Sequence, residues 1–297
     1  MTLNDLFTAI AQLAGLLFVV SSMLAMGMGL TMGQILQPLK NIRLVVLALA
    51  VNFVLAPLLA YAITLILPLA QPLATGLIVL ATAAGAPFLP KLVQGAKGNL
   101  ALGVGLMVLL MVVTIIYMPL VLPLLLPGVE VNPWEIAKSL IIVMLVPLAI
   151  GLLFRSHSPE SAAHWQPFMN KTSSISVLVL LVVGLGLNVS NIIDLVGSWG
   201  ILALLLFVAG CLLLGMVFGG RDPGVRSVMG LGAAQRNISA AILVSAQNFA
   251  GTDTLPFVLV AAVLFLLILL PTARRMGARK QDATPAAAPT VTPAAAD

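Results

Sequence analysis

Nine apolar stretches, near residues 10–32, 43–68, 73–96, 99–126, 136–154, 173–193, 199–219, 226–249 and 255–273, leave this chain few folds to choose from. Each is close to the roughly 20 residues that a helix needs to cross the hydrocarbon of a bilayer. None alternates apolar with polar residues, as a membrane β-barrel would, so the expected fold class is all-α: a polytopic membrane protein of nine transmembrane helices. Composition agrees, with 8% charged residues where a soluble domain carries roughly 25%. Cys211 is the single cysteine, which excludes an internal disulfide or a cysteine-rich metal site. The start, MTLNDLFTAIAQLAG, has neither a basic n-region nor a small-residue cleavage signal, so the first helix is expected to serve as its own insertion signal.

Lys and Arg orient the spans, because cytoplasmic connections retain them. Eleven of the 14 fall on one side: Lys40, Arg43, Lys97, Arg155, Lys171, Arg221, Arg226, Arg274, Arg275, Arg279 and Lys280. Lys138 stands on the other, with Asp5, Glu130, Glu135, Asp194 and Asp253. The expected topology is a multi-pass protein of the plasma (inner) membrane, N-terminus outside and C-terminus cytoplasmic. The net charge of +5 is then a topology signal and not a nucleic-acid footprint. Residues 1–280 read as one transmembrane domain, and the Ala/Pro/Thr-rich 281–297 as a disordered cytoplasmic tail.

Two cations are left over, Lys91 and Arg236, and both lie inside spans that ought to break. The third stretch holds Gly85, Pro87 and Pro90, and each proline inside a helix costs about 3 kcal/mol. In the eighth, GAAQRNISAA sets Gly232 and other small residues before Gln235, Arg236, Asn237 and Ser239. Paired interruptions in corresponding halves are the mark of a secondary transporter with inverted repeats, whose unwound segments form the site near the midplane. Either break alone would be an ordinary kink.

The order and spacing of four motifs resemble the bile acid:sodium symporter family from the first span to about residue 275. They are MGMGLTM at 26–32, NFVLAPLLA at 52–60, KGNLALGVG at 97–105 and GAAQRNISAA at 232–241. The resemblance implies an inverted repeat whose first helix is missing here. It also implies a core domain, about 73–126 and 199–273 with 43–68, that holds two crossing broken helices. A panel domain, about 10–32 and 136–193, rocks against it. Two sodium sites are implied as well, and at these this sequence departs from the family. The family glutamate falls at Gly232, its glutamine at Arg236, its Ser-Asn pair at Leu89 and Pro90, and two helping hydroxyls at Gly103 and Met107. Asn52 alone stands as a shortened form of a ligand glutamine, and Asn237 matches the family asparagine. Sodium wants several oxygen ligands, as other hard cations do. No cofactor is expected, and resident sodium is disfavoured.

The expected function is secondary-active transport of an organic anion by alternating access, without sodium, with Arg236 and Lys91 replacing the bound cations. A basic residue at a helix centre costs at least about 2.5–3.5 kcal/mol, and no acidic residue shares these spans, so a substrate anion is the natural partner. Arg236 would grip it bidentately. A buried Lys91 could release its proton and couple transport to protons, or stay charged and favour exchange. Gln235, Asn237, Ser239 and Asn52 complete the expected substrate-binding set. The bland alternatives remain beside these: Arg236 caps carbonyls freed by the break, Lys91 reaches the cytoplasm, and the amides glue helices together. Gln247 and Asn248 read as interfacial, and Asn188 and Asn191 as a helix end. The alternative functions are a sodium-coupled symporter and, from another class, a non-transporting sensor or scaffold. An enzyme is not expected, since His157 and His164 share a cytoplasmic loop and no HExxH is present. The expected partners are a small organic anion and the lipid bilayer. Oligomeric state is left open, with a monomer compatible.

Overall fold

A computed structural model describes residues 3–36, 40–126, 132–187 and 198–282. Glu130, Asn188, Asn191, Asp194 and the tail from 283 therefore lie outside the described residues. Among those described, all regular structure is helical. In chain order the helices are α1 (Leu3–Gly29), α2 (Met32–Leu36), α3 (Ile42–Ala50), α4 (Ala56–Ile66), α5 (Gln71–Thr82), α6 (Leu89–Gly95), α7 (Leu100–Leu125), α8 (Pro133–Leu140), α9 (Val146–His157), α10 (Pro159–Leu187), α11 (Gly200–Phe218), α12 (Pro223–Ala234), α13 (Ile238–Asn248) and α14 (Thr254–Asp282). A π-helical turn, Val51–Leu55, joins α3 to α4, and another, Ile141–Leu145, joins α8 to α9. Among the described residues seven helices, counting each of these joined pairs as one, are long and apolar enough to cross a membrane. The stretches at 73–96 and 226–249 are each two short helices instead.

The helices begin where short polar side chains satisfy the free amides of a first turn. Asn41 accepts from the Leu44 amide, Asn99 from Leu102, Asn132 from Trp134, and Asp222 from Val225. Asn237 does the same for Ala240, but in the middle of an apolar stretch. One sequence expectation is corrected here. Residues 159–172 are not a loop: Pro159 and Glu160 open α10, which carries His164 in helix, while His157 ends α9. Proline in a first turn removes an amide that has no helical partner anyway, and an early glutamate suits the helix dipole.

Packing sorts the helices. The long α1 lies chiefly along α10 and α9. Its crossing with α9 is close enough that a Cβ on Gly27 would fall 2.8 Å from the Gly151 Cα. On the other side α5, α6 and α7 pack with α12 and α14, and α11 packs on α12 and α4. The short α13 touches α5 and α14 on one flank and α1 and α8 on the other. It therefore lies where the two sets of helices meet.

Candidate functional site

The first interruption begins at Thr82, five residues before Pro87. Pro87 has no amide to give the Ala83 carbonyl four residues back. The Asn237 amide supplies one from the second interruption, at 2.8 Å. Between them Gly85 takes φ +78°, and a Cβ there would lie 2.6 Å from the Met111 Cα of α7. Thr114 of α7 braces the turn, its hydroxyl both accepting from the Ala84 amide and donating to the Ala84 carbonyl, each at 3.0 Å. Pro90, expected to help break the span, sits instead in the first turn of α6, where its missing amide is harmless.

The second interruption is three residues long. Gln235 leaves α12 in an extended conformation, and Asn237 is the centre of an inverse γ-turn (φ −75°, ψ 84°) closed by the Ile238 amide on the Arg236 carbonyl at 2.9 Å. Arg236 is fully buried. Its Nε donates to the Leu80 carbonyl at 3.0 Å. Nη1 donates to Asn52 Oδ1 at 2.9 Å and to the Ala233 carbonyl at 3.1 Å. Nη2 donates to the Ala81 carbonyl at 2.5 Å and to the Asn52 carbonyl at 3.5 Å. A guanidinium has five N–H donors, and all five are taken by neutral oxygens. A single cation thus ties together the end of α5, the end of α12 and the π-turn, with no carboxylate among its partners.

Pro57 explains why the π-turn has oxygens to offer. Lacking an amide, it serves neither Phe53 four residues back nor Asn52 five back. Side chains reach those two carbonyls: Arg236 that of Asn52, and the Tyr117 hydroxyl that of Phe53, at 2.5 Å. The rings of Phe53 and Tyr117 lie 4.8 Å apart between centroids. Asn52 is itself held, its Nδ2 donating to the Ala48 carbonyl at 3.0 Å, so its Oδ1 faces the guanidinium. Removing the hydroxyl in Tyr117→Phe is expected to cost about 1–2 kcal/mol by stranding the Phe53 carbonyl. Thermal unfolding in detergent measures this, and an unchanged Tm would contradict it.

Two sequence expectations change. A bidentate grip of Arg236 on substrate is not available in this conformation, because its donors are spent on the protein. What remains is its charge. Lys91 is exposed, not buried, with Nζ 5.6 Å from the Phe88 ring centroid. It does not join the cluster, and the burial expected of it is absent. Gln235, Asn237, Ser239 and Asn52 are all buried at or beside the meeting point of the breaks. A Cβ on Gly232 would lie 3.4 Å from Leu89 Cδ2. The position that the resemblance gives to a glutamate thus faces the leucine that stands for its serine, and methyl groups fill the gap. The alternative that Arg236 caps carbonyls freed by a break describes its contacts with Leu80, Ala81 and Ala233, whereas Tyr117 and Thr114 had no place in the sequence reading. Only Pro57 signalled that carbonyls near Asn52 would be free. A shallow cleft of about 110 Å³, lined by Tyr61, Gln71 and Thr75 among others, sits at the far end of α5.

Residues 16–195, more than half of the chain, match the profile of the Sodium Bile acid symporter family. That match takes in the first interruption and ends before α11. Among curated proteins the chain is similar to the "Probable sodium/metabolite cotransporter BASS2, chloroplastic" of Oryza sativa subsp. japonica, at 31% identity over 159 residues, or 53% of this chain. The aligned stretch covers 36% of that relative's length. Sequence motifs, helical membrane architecture and profile agree, and the chain belongs to the sodium bile acid symporter family, whose members are transporters and not enzymes.

Proposed function

We propose that the chain is a secondary-active carrier of a small organic anion, in which Arg236 stands where a bound cation would and transport needs no sodium. The observation that carries this is the guanidinium held by five neutral oxygens at the meeting of two broken helices. Oxygens of carbonyls and amides are what a protein offers a hard cation. A charge so placed, with no acid among the described residues that partner it, is offset most simply by an anionic substrate. The N-terminus of α13, where Asn237 and Ser239 lie, points the same way electrostatically.

In this reading the two interrupted helices complete nine membrane crossings in an inverted repeat without its first helix. The helices around α5–α7 and α11–α14 form the core, and α1 with α8–α10 the panel that moves against it. The N-terminus is outside and the C-terminus cytoplasmic, in the plasma membrane. Arginine keeps its proton under all ordinary conditions. An empty carrier therefore holds a net charge in its centre that a bound monoanion cancels. The loaded carrier reorients more easily than the empty one, which favours exchange of one anion for another over proton coupling. Exposed Lys91 serves as an outlying attraction for the anion.

Thermal stability against a panel of organic anions, with choline replacing sodium, tests this. Stabilisation by an anion in choline, lost in Arg236→Gln, is the expected result. Family membership favours the rival reading of a sodium-coupled symporter. Stabilisation by anions only when sodium is present would establish that rival and overturn the proposal.

A further inference from the structure

Far from the broken helices, Arg221 and Arg226 flank the start of α12, and Arg274, Arg275 and Arg279 lie in the last turns of α14. All five are exposed and, among the described residues, make no hydrogen bond or ion pair. The two helix ends that carry them are held together by the end of α6. A Cβ on Gly95 would lie 3.8 Å from the Ala273 Cβ of α14, and three residues on a Cβ on Gly98 would lie 3.4 Å from the Gly224 carbonyl oxygen of α12. They also emerge at one level. The rings of Phe207 on α11 and Phe265 on α14 lie 6.5 Å apart between centroids. At about 1.5 Å per residue, α11 runs on roughly 17 Å to Phe218, just before Arg221, and α14 roughly 14 Å to Arg274.

The face of α14 that carries the arginines is set by helical spacing. Leu267, Pro271, Arg274, Arg275 and Ala278 recur at i, i+4, i+7, i+8 and i+11 and are all exposed, whereas the buried Ala273 and Gly277 turn toward α6. Leu267 is 67% exposed. On a helix that crosses a bilayer, acyl chains cover such an apolar stripe, and the arginines follow it where the headgroups begin. We propose that this end of α14, with Arg221 at its level, docks the headgroup of an anionic phospholipid whose acyl chains lie along the stripe of Leu267. Guanidinium forks match the paired oxygens of a phosphate. The stripe leading into them favours a lipid over a free phosphate, which has no use for it. The inference does not depend on the cargo of the carrier or on its coupling.

Native mass spectrometry of the full chain in detergent, titrated with phosphatidylglycerol and with phosphatidylcholine, tests this. Wild-type protein is expected to hold phosphatidylglycerol roughly tenfold more tightly. In the double variant Arg274→Gln with Arg275→Gln the preference is expected to fall to within about threefold. Lys40→Gln with Arg43→Gln, which removes as much charge from exposed positions at the start of α3, is expected to keep the wild-type preference. Equal binding of the two lipids to wild type would overturn the inference whether or not the variants fold. A preference that survives in the arginine variant would overturn it too, as would an equal loss in both variants, since the attraction would then be diffuse. Full displacement of phosphatidylglycerol by soluble glycerol phosphate would replace the lipid site with one for free phosphate.

Discussion

Arg236→Leu is expected to lower stability by about 3 kcal/mol or more and to abolish every anion-dependent effect. Two opposing quantities decide the sign. Losing the guanidinium relieves a buried charge, worth roughly 2.5–3.5 kcal/mol on insertion scales. It also strands five acceptors, the carbonyls of Leu80, Ala81, Ala233 and Asn52 and the Asn52 side-chain oxygen, at roughly 1–3 kcal/mol each. The second sum is larger even when water re-enters at some of these oxygens. A chain this long then shows a fall in Tm of roughly 5–10 °C. Arg236→Lys is expected to recover little, since an ammonium has three donors and no planar fork to span three elements. A Tm unchanged in Arg236→Leu would mean that the guanidinium holds nothing together.

Gly85→Ala is the second large effect. The backbone at φ +78° is costly for any residue with a Cβ, by about 1–3 kcal/mol. The new methyl would also press on the α7 backbone, 2.7 Å from the Leu110 carbonyl carbon and closer still to Met111. Overpacking against atoms that cannot rotate away adds about 1–3 kcal/mol. The end of α5 must shift, and with it the Leu80 and Ala81 carbonyls that Arg236 holds. Reduced yield of folded protein and a Tm drop comparable to that of Arg236→Leu are expected. Gly33→Ala, where a Cβ meets nothing within 4 Å, is the control. Equal stability of the two alanine variants would contradict the close packing of the first interruption on α7.

Much of this was legible in the residues. Apolar length set the helices, and a proline or a buried cation in two stretches marked where they fail. Local chemistry also carried the starts of helices, since Asn41, Asn99, Asn132 and Asp222 each stand before an apolar run. What sequence could not supply was the partner of each broken end. That the Ala83 carbonyl is served by Asn237, 154 residues away, depends on how α5 and α12 are brought together, and no periodicity records it. Lys91 and Arg236 looked alike in sequence, yet one is exposed on α6 and the other is buried, because Lys91 lies on a helix beyond its interruption and Arg236 lies within its own. The π-turn left a faint trace in Pro57, which shows that carbonyls are freed but not that Tyr117 and Arg236 would reach them. Assigning Arg236 a direct grip on substrate assumed free donors, and only the acceptors around it show that they are engaged.

The central claim is that a guanidinium occupies the place of a bound cation. A titration of Tm with sodium chloride against choline chloride, on wild type and Arg236→Gln, tests it most directly. Wild-type protein is expected to respond identically to both salts. In Arg236→Gln the oxygens of Asn52, Leu80, Ala81 and Ala233 are released beside a new amide oxygen, and stabilisation specific to sodium is expected to appear. Sodium-specific stabilisation of the wild type, undiminished or lost in the variant, would contradict the claim.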